Sequence, residues 1–240
     1  MISKADIKHI RSLQRKKFRD QHQEFVIEGR KLLDEAIEHA PEFVKTIYTS
    51  EPENIKNVSN LEVVKISNKE LDQISSLKSP QPFVTICRKS IENNIESHLI
   101  LALDDIQDPG NMGTILRLSA WFGIKDVILS EGCVDIYNPK VVQASMGAIF
   151  TVNSVVRNLE TFMHDNNLPV FGAVLGGKNV YTEKLPKSAI LLMGNEGNGI
   201  NEKLLNQISN PISIPKYGSG ESLNVAMATS ILLSEFRRSQ

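Results

Sequence analysis

The sequence predicts an α/β protein whose second part is a parallel sheet covered by helices on both faces, preceded by a smaller α/β domain. Apolar runs typical of buried strands alternate with amphipathic stretches typical of helices along the chain. A polar stretch at 88–97 (RKSIENNIES) lacks either pattern and separates two alternating parts. We therefore place the two domains at residues 1–92 and 98–240.

The first part is predicted to begin with one amphipathic helix over 4–17, because Ile7, Ile10 and Leu13 recur at near-helical spacing. Short apolar runs and the helical patterns between them predict the elements that follow. The predicted strands are 25–28, 44–48, 62–66 and 82–87, and the predicted helices are 31–39 and a segment from Asn68 onward. This order is that of a small α/β unit.

The second part begins with LILALDD at 99–105, an apolar run that suits a strand buried on both faces. Short, mainly apolar runs of three to five residues and helical patterns then alternate to the end of the chain. Strands are predicted at 126–129, 152–156, 170–174, 189–193 and 212–214, and helices at 114–122, 139–145, 159–166, 201–207 and 222–238. This alternation favours a parallel sheet, whose ligands gather beyond the carboxyl ends of the strands.

The composition excludes several classes of protein. No apolar run approaches the roughly 20 residues that a bilayer span requires, and the start, MISKADIKHIRS, lacks the apolar core of a secretory signal. The only two cysteines, Cys87 and Cys133, do not have CxxC spacing, which predicts a reducing cytoplasm and excludes a cysteine-based zinc site. The five histidines are scattered, so no metal is expected.

Basic residues are concentrated at the amino terminus, although the formal net charge of the chain is only −1. Residues 1–19 contain seven lysines and arginines and a single acidic residue, Asp6. Such a cluster suits a phosphate backbone, because binding releases condensed counterions. It is equally typical of a solvated helix face, and the charges alone leave both interpretations open.

Three loops that follow predicted strands are rich in glycine and asparagine: 108–117 (DPGNMGTILR), 194–200 (GNEGNGI) and 214–224 (IPKYGSGESLN). Glycine permits close approach of the backbone to a ligand, and asparagine brings both a donor and an acceptor. None of the loops is a GxGxxG, GxxxxGK[ST] or GxSxG motif, which argues against NAD, a Walker-type phosphate loop and a nucleophile elbow. Taken alone, each loop is also typical of a tight turn.

Together and in this order, the loops resemble the motifs of the SpoU (TrmH-type) branch of the SPOUT RNA methyltransferases. The matching segments are DPGNMGTILRLSAWFG (108–123), NPKVVQASMGAIF (138–150), LLMGNEGNGI (191–200) and IPKYGSGESLNVAMATSILLSEF (214–236). This resemblance covers residues 98–240. Residues 24–37 (EFVIEGRKLLDEAI) are similar to the L30e-like RNA-binding domain that precedes many of these enzymes.

The resemblance implies a deep trefoil knot at the carboxyl end of the sheet, a homodimer with its active site at the subunit interface, and S-adenosyl-methionine as cofactor. The reaction implied is methyl transfer to a ribose 2′-hydroxyl of RNA in the cytoplasm. Ribosomal RNA is favoured over transfer RNA because the L30e-like domain is similar to binders of ribosomal RNA. The alternatives are a transfer-RNA 2′-O-methyltransferase, a base methyltransferase, and a noncatalytic RNA-binding protein of ribosome assembly.

The resemblance also implies roles for individual residues. The expected catalytic residues are Arg117, Glu196, Asn224 and Ser222. We expect Arg117 to grip the phosphate beside the target ribose and to assist proton removal, because arginine is almost never deprotonated in proteins. Glu196 is expected to orient Arg117 or Asn224, and Ser222 is also a candidate N-cap. Outside the motif, Arg117 would suit a surface ion pair and Glu196 a turn in solvent.

Two further groups of residues are expected to bind ligands. The expected cofactor-binding residues are Gly194, Ile214, Leu223, Val174 and Gly176. The expected RNA-binding residues are Lys8, Arg11, Arg15, Lys16 and Arg30. Ile214 and Leu223 would equally suit an ordinary core. Lys216 stands where relatives often have an apolar residue, which affects how its loop meets RNA.

Overall fold

The structure, a computed structural model, describes residues 2–55, 61–90 and 94–238. Its helices are α1 (Lys4–Ser12), α2 (Lys16–His22), α3 (Arg30–His39), α4 (Asn68–Ile74), α5 (Pro109–Trp121), α6 (Pro139–Ser145), α7 (Leu159–His164), α8 (Glu202–Leu205) and α9 (Val225–Arg238). Its strands are β1 (Glu24–Glu28), β2 (Val44–Thr49), β3 (Glu62–Lys65), β4 (Phe83–Arg88), β5 (Leu99–Leu103), β6 (Asp126–Leu129), β7 (Asn153–Val156), β8 (Val170–Asn179), β9 (Ala189–Met193) and β10 (Asn210–Ser213).

The chain forms two compact units, and their boundaries are not simple cuts in the sequence. One unit contains residues 1–91 together with 135–151, and the other contains residues 92–134 and 152–240. The predicted linker at 88–97 includes residues 91–93, which lie outside the described ranges. The assignment of an RNA-binding domain to residues 1–92 and of a methyltransferase domain to residues 98–240 remains a prediction.

The first unit is built on a mixed sheet with the strand order β1-β4-β2-β3 in the described part of the chain. Strand β4 is antiparallel to both β1 and β2, whereas β2 and β3 are parallel. Alternate residues of the strands serve two apolar clusters: Phe25 and Ile27 belong to one, and Val26 belongs to the other. Both faces of this sheet are therefore buried.

The predicted helix over 4–17 is wrong as a single element, because the chain bends between α1 and α2. Arg19 explains the bend. Its Nη1 donates a hydrogen bond to the carbonyl of Leu13 at 2.9 Å, which satisfies a backbone acceptor at the end of α1. The same guanidinium donates from Nε (3.0 Å) and Nη2 (2.7 Å) to Oδ2 of Asp135, and only 3% of its side chain is exposed. This basic residue is therefore a structural group of the first unit.

Residues 135–151 pack into the first unit although they lie far along the chain. Val142 and Ile149 belong to the same apolar cluster as Phe25. The ring of Tyr137 lies 4.7 Å from that of Phe25, and Lys89 Nζ lies 4.9 Å from the centre of the Tyr137 ring. This segment, part of the sequence that resembles the catalytic motifs, thus completes the core of the amino-terminal unit.

The second unit contains a parallel sheet with the strand order β10-β8-β9-β5-β6-β7 among the described residues. Ile100 and Ala102 of β5 share one apolar cluster with residues of α7 and α8. On the other side, Phe171 of β8 meets Phe236 of α9 edge-on at 5.4 Å, and α9 packs beside α5. The predicted α/β class with helices on both faces is confirmed, and the trefoil knot remains a prediction.

Helices α5 and α9 begin three or more residues away from their predicted starts. Helix α5 begins at Pro109, five residues before the predicted start, because the Asp108 carboxylate caps it and proline suits the first helical position. Helix α9 begins at Val225, where Asn224 Oδ1 accepts hydrogen bonds from the backbone N–H groups of Ala226 (2.9 Å) and Met227 (3.3 Å). Asn224, and not Ser222, is therefore the N-cap of α9.

No helix in the described ranges is long and apolar enough to cross a membrane.

Candidate active site

The order of the strands predicts where a ligand site lies in the second unit. Strand β5 is central. The next two strands along the chain, β6 and β7, extend the sheet toward one edge, and β8 and β9 then extend it toward the opposite edge, so that β9 pairs with β5. Such a reversal leaves a crevice outside the carboxyl ends of the two central strands. The loops that leave these ends are residues 104–108, which lead into the first motif segment, and residues 194–199, which belong to the second.

A hydrogen-bond network of three side chains lies at this position. Asn111, in the first turn of α5, donates from Nδ2 to Oε1 of Glu196 at 2.7 Å. Asn224 donates from Nδ2 to Oδ1 of Asn111 at 2.9 Å. The structure thus brings Glu196 and Asn224 together through Asn111, and each of the three motif segments contributes one member.

Sequence reasoning missed Asn111, because the segment around it was predicted to be a loop. Its position follows from the helix cap: the backbone N–H of Asn111 donates to Oδ1 of Asp108 at 2.8 Å. The Asp-Pro pair at 108–109 was the available signal, since it is typical of a helix start. With the helix starting at Pro109, Asn111 lies in the first turn of α5, where its backbone is held in place.

The loop that presents Glu196 is held by Asn195. The backbones of Asn195 and Gly199 exchange hydrogen bonds of 2.9 and 3.0 Å, and Asn195 Oδ1 accepts from the N–H groups of Gly197 (2.8 Å) and Asn198 (3.1 Å). Asn195 Nδ2 donates to the carbonyl of Asp105 at 2.8 Å. Both the oxygen and the nitrogen of the Asn195 side chain therefore shape the turn. Glu196, the next residue, is half-buried beside Asn111.

Arg117 lies on the outer face of α5, in line with Gly110, Thr114 and Trp121, which recur at helical spacing and are all exposed. Among the residues that the structure describes, none forms a hydrogen bond or an ion pair with the Arg117 guanidinium. Its five N–H donors are thus available to an anion from outside the described chain. The structure does not join Arg117 to Glu196 or Asn224 by a hydrogen bond.

The predicted cofactor residues lie along one edge of the sheet, because β9, β8 and β10 are neighbours. Gly194 follows β9 and Ile214 follows β10, and both are half-buried. Val174, also half-buried, and Gly176, which is exposed, lie in the part of β8 beyond its pairing with β9. Leu223 is 52% exposed. Ile214 and Leu223 are therefore not ordinary core residues.

The predicted RNA-binding residues all lie in the first unit. Lys8 and Arg15 are exposed, with no hydrogen bond or ion pair to other described residues. Arg11 donates to the carbonyl of Gln73 at 2.6 Å, and Lys16 pairs with Asp20 at 2.9 Å. Arg30 pairs with Asp34 at 2.7 Å. Exposed ion pairs such as those of Lys16 and Arg30 are weak, and only the Nε of Arg11 is engaged, so these three cations remain accessible to phosphate.

Comparison with known proteins identifies the family. The profile of the SpoU rRNA methylase family matches residues 98–234, and that of an MRM3-like substrate-binding domain matches residues 4–85. The chain belongs to the SpoU rRNA methylase family. A Bacillus subtilis relative named 23S rRNA (guanosine(2553)-2′-O)-methyltransferase RlmP is 31% identical over 96% of this chain and 95% of its own length.

Solved structures of SpoU-type proteins have the same fold. One, described as an RNA methyltransferase of the TrmH family from Porphyromonas gingivalis, is 38% identical, covers the whole of both chains and has a TM-score of 0.91. Another, an AdoMet-bound rRNA methyltransferase from Sinorhizobium meliloti, is 30% identical over 99% of this chain and 96% of that one, with a TM-score of 0.86. The predicted enzyme class, an RNA 2′-O-methyltransferase that uses S-adenosyl-methionine, is confirmed.

In this SpoU protein, the edge of the sheet at the carboxyl ends of β8, β9 and β10 fits the cofactor. The faces of an adenine ring are apolar and its rim is polar, so its site needs apolar side chains beside accessible backbone groups. Val174, Ile214 and Leu223 supply partly exposed apolar surface here. A Cβ atom placed on Gly176 would meet nothing within 4 Å, so the space beside this residue is open. When bound, S-adenosyl-methionine supplies an electrophilic sulfonium methyl group.

Neither cysteine of this SpoU protein is activated as a nucleophile. Burial raises the pKa of the thiols of Cys87 and Cys133, which keeps both protonated and unreactive at neutral pH. No cluster of three or more potential metal ligands occurs among the described residues.

Proposed function

We propose that the protein methylates ribose 2′-hydroxyl groups of ribosomal RNA, with Arg117, Asn111, Glu196 and Asn224 as its working residues. The observation that carries this proposal is the network in which Asn111 joins Glu196 to Asn224, with Arg117 on the same helix as Asn111. The choice of ribosomal RNA is supported by the relative whose name assigns it a 23S rRNA guanosine.

Arg117 binds the phosphate next to the target ribose. A guanidinium matches a phosphate with two parallel hydrogen bonds, and the Arg117 fork is exposed and without a partner among the described residues. Fixing that phosphate places the neighbouring 2′-oxygen, and accurate placement alone is worth roughly 7–11 kcal/mol in favourable cases. Arg117 remains protonated throughout, so it assists departure of the hydroxyl proton by its charge.

Glu196 accepts a hydrogen bond from the ribose hydroxyl. Its Oε1 already accepts from Asn111, whereas its Oε2 has no partner in the described ranges. Asn111 and Asn224 act as positioning residues, because Asn111 donates to the Glu196 carboxylate and is itself held by the hydrogen bond from Asn224. Ser222 is exposed and two residues ahead of Asn224, where its hydroxyl faces substrate without serving as a helix cap.

Gly194, Ile214, Leu223, Val174 and Gly176 hold the cofactor. Two observations support this assignment: the apolar side chains are only partly buried, and the space beside Gly176 is open. Their backbone amides and carbonyls bind the polar rim of adenine, while Ile214 and Leu223 pack against its faces.

Residues 1–92 form the RNA-binding domain in this proposal, and residues 98–240 form the methyltransferase domain. Lys4, Lys8 and Arg11 recur at helical spacing and make one exposed basic stripe on α1. Arg15, Lys16 and Arg30 extend the accessible cations of this unit. The substrate-binding family profile over residues 4–85 supports the assignment. The two free thiols suit a cytoplasmic location.

We further propose that the protein is a homodimer in which the Trp121 end of α5 and the outer face of α9 meet a second copy, with Arg117 at the rim of this contact and open to RNA. The two helices run side by side, since Arg237 Nε donates to the carbonyl of Phe122 at 2.6 Å. Trp121 on α5 is 84% exposed and Met227 on α9 is 60% exposed. Large apolar side chains on neighbouring helices are typical of the core of a protein interface.

Replacing Trp121 by glutamate should convert the dimer to a monomer in sedimentation velocity, because the new charge would be buried without a partner. Leu205→Glu is the matched control: Leu205 is 42% exposed on α8, which packs on the other face of the sheet, and this variant should remain dimeric. A dimeric Trp121→Glu protein, or a monomeric wild type, would rule out this interface.

Alkaline hydrolysis tests the proposed reaction. Ribosomal RNA from cells that lack the gene is incubated with the protein and radiolabelled S-adenosyl-methionine, and transfer RNA from the same cells serves as the control. We expect label in ribosomal RNA, recovered as alkali-resistant dinucleotides because a 2′-O-methyl group blocks cleavage at its own position. Label in mononucleotides would indicate base methylation, label in transfer RNA alone would overturn the substrate, and no label would indicate a noncatalytic protein.

A further inference from the structure

The loop between β10 and α9 presents one aromatic side chain to solvent. Tyr217 is 90% exposed, and it makes no hydrogen bond or ring contact with any residue in the described ranges. Between Pro215 and Leu223 it is the only large apolar residue, and every residue from Lys216 to Leu223 is exposed. The ring therefore contributes nothing to the core of the second unit.

The ends of this loop are fixed while its middle is open. At the start, Ser213 Oγ donates to the carbonyl of Gly177 at 2.8 Å. At the end, Asn224 caps α9 and donates to Asn111 in the site network. A Cβ atom on Gly218 or Gly220 would meet nothing within 4 Å, so the space beside these two glycines is open.

The chemistry of the loop matches single-stranded RNA. An exposed aromatic ring is a platform on which a splayed-out base stacks, and a neighbouring cation binds the phosphate. Lys216 provides that cation, since it is exposed and forms no ion pair with other described residues. We propose that Tyr217 stacks on a base of single-stranded RNA beside the nucleotide to be methylated, with Lys216 on its phosphate. The proposal rests on the proposed RNA methylation.

The surroundings of Tyr217 favour a nucleic-acid base over a second copy of the chain. Interface cores are depleted of charged residues, whereas Lys216 and Glu221 share the loop with glycines and serines. The apolar surface proposed for the dimer lies instead on helices α5 and α9. A single ring in polar surroundings suits a flat base whose own edges remain in water.

Substitutions at Tyr217 separate stacking from other roles. Tyr217→Leu removes the ring and retains apolar bulk, and it should lower kcat/KM for ribosomal RNA about 10- to 100-fold. Tyr217→Phe keeps the ring and should remain within about two-fold of wild type, since stacking does not need the hydroxyl. Affinity for S-adenosyl-methionine and the sedimentation coefficient should not change in either variant. Tyr181→Leu, at a tyrosine that is 43% exposed elsewhere in this unit, is the control and should match wild type.

A direct binding measurement makes the inference independent of turnover. Tyr217→Trp places a fluorophore in the loop, and the wild type, whose single tryptophan is Trp121, reports any signal from that position. A ten-nucleotide oligoadenosine should quench the fluorescence of Tyr217→Trp beyond that of wild type. An abasic strand of the same length and charge should not, because it has no base to stack.

Each outcome bears on the inference. Equal quenching by the abasic strand, or wild-type kcat/KM in Tyr217→Leu, would overturn stacking. Weaker S-adenosyl-methionine binding would place Tyr217 in the cofactor site instead, and a changed sedimentation coefficient would place it in the dimer interface. If wild type transfers no methyl group, the proposed function fails, while base-dependent quenching still decides the role of Tyr217.

Discussion

Replacing Arg117 by alanine should lower kcat/KM for RNA methylation about 100- to 1,000-fold, the range observed when a preorganised donor is removed from an active site. The guanidinium has no structural partner among the described residues, so its loss should leave the thermal stability unchanged. Affinity for S-adenosyl-methionine should also be retained, because the proposed cofactor residues lie in β8 and in the loops after β9 and β10, and none of them lies on α5.

Two further variants separate the charge of Arg117 from its shape. Arg117→Lys keeps the charge but loses the planar fork, so we expect activity between those of wild type and Arg117→Ala. Lys125→Ala removes a different exposed cation just after α5 and should behave as wild type. The slope of log affinity for RNA against log salt should fall by about one in Arg117→Ala, as expected for one lost phosphate contact. If Arg117→Ala showed an unchanged slope and full activity, Arg117 would not bind an RNA phosphate.

Replacing Gly194 by alanine should abolish cofactor binding and also destabilise the second unit. A Cβ atom at this position would lie 2.3 Å from the carbonyl carbon of Gly199 and 2.4 Å from the nitrogen of Ile200. Both contacts are with backbone, which moves only if the whole 194–199 turn shifts. Overpacking of this kind costs about 1–3 kcal/mol, and we expect the upper end. A chain of this size should then lose roughly 6–12 °C in Tm.

Gly197→Ala provides the comparison within the same turn. A Cβ atom there would meet only Oδ1 of Asn195 at 3.5 Å, an ordinary contact, and the N–H that donates to Asn195 is retained. Differential scanning calorimetry should show a normal Tm for this variant, and isothermal titration should show normal S-adenosyl-methionine binding. If Gly194→Ala and Gly197→Ala had the same Tm and the same affinity for S-adenosyl-methionine, the backbone contacts at Gly194 would not restrict the turn.

The parallel sheet and most element bounds followed from periodicity, because a strand buried on both faces and an amphipathic helix leave strong local patterns. The predicted strand at 189–193 agrees with β9, and the predicted helix at 139–145 agrees with α6. The assembly of the site is not a local property. Asn111 meets Glu196 and Asn224 across 85 and 113 positions of sequence, and no periodicity specifies such partners.

The amino-terminal charge cluster also shows that local sequence does not specify contacts between distant residues. Arg19 and Lys8 are both basic residues near the start of the chain, and charge counting treats them alike. The structure separates them: Lys8 is exposed, whereas Arg19 is buried against Asp135, which lies 116 positions away. Which cation faces solvent is decided by a distant carboxylate, so the number of bases overestimates those available to phosphate.

The packing of residues 135–151 determines how this protein can be dissected. A chimera that took only the first ninety or so residues from a relative would pair Asp135 with whichever residue that relative has in place of Arg19. It would also set Gly147, whose Cβ position is already filled by Glu35, against a foreign helix. The unit that can be exchanged is therefore discontinuous in the gene, and a functional graft needs both stretches from the same donor.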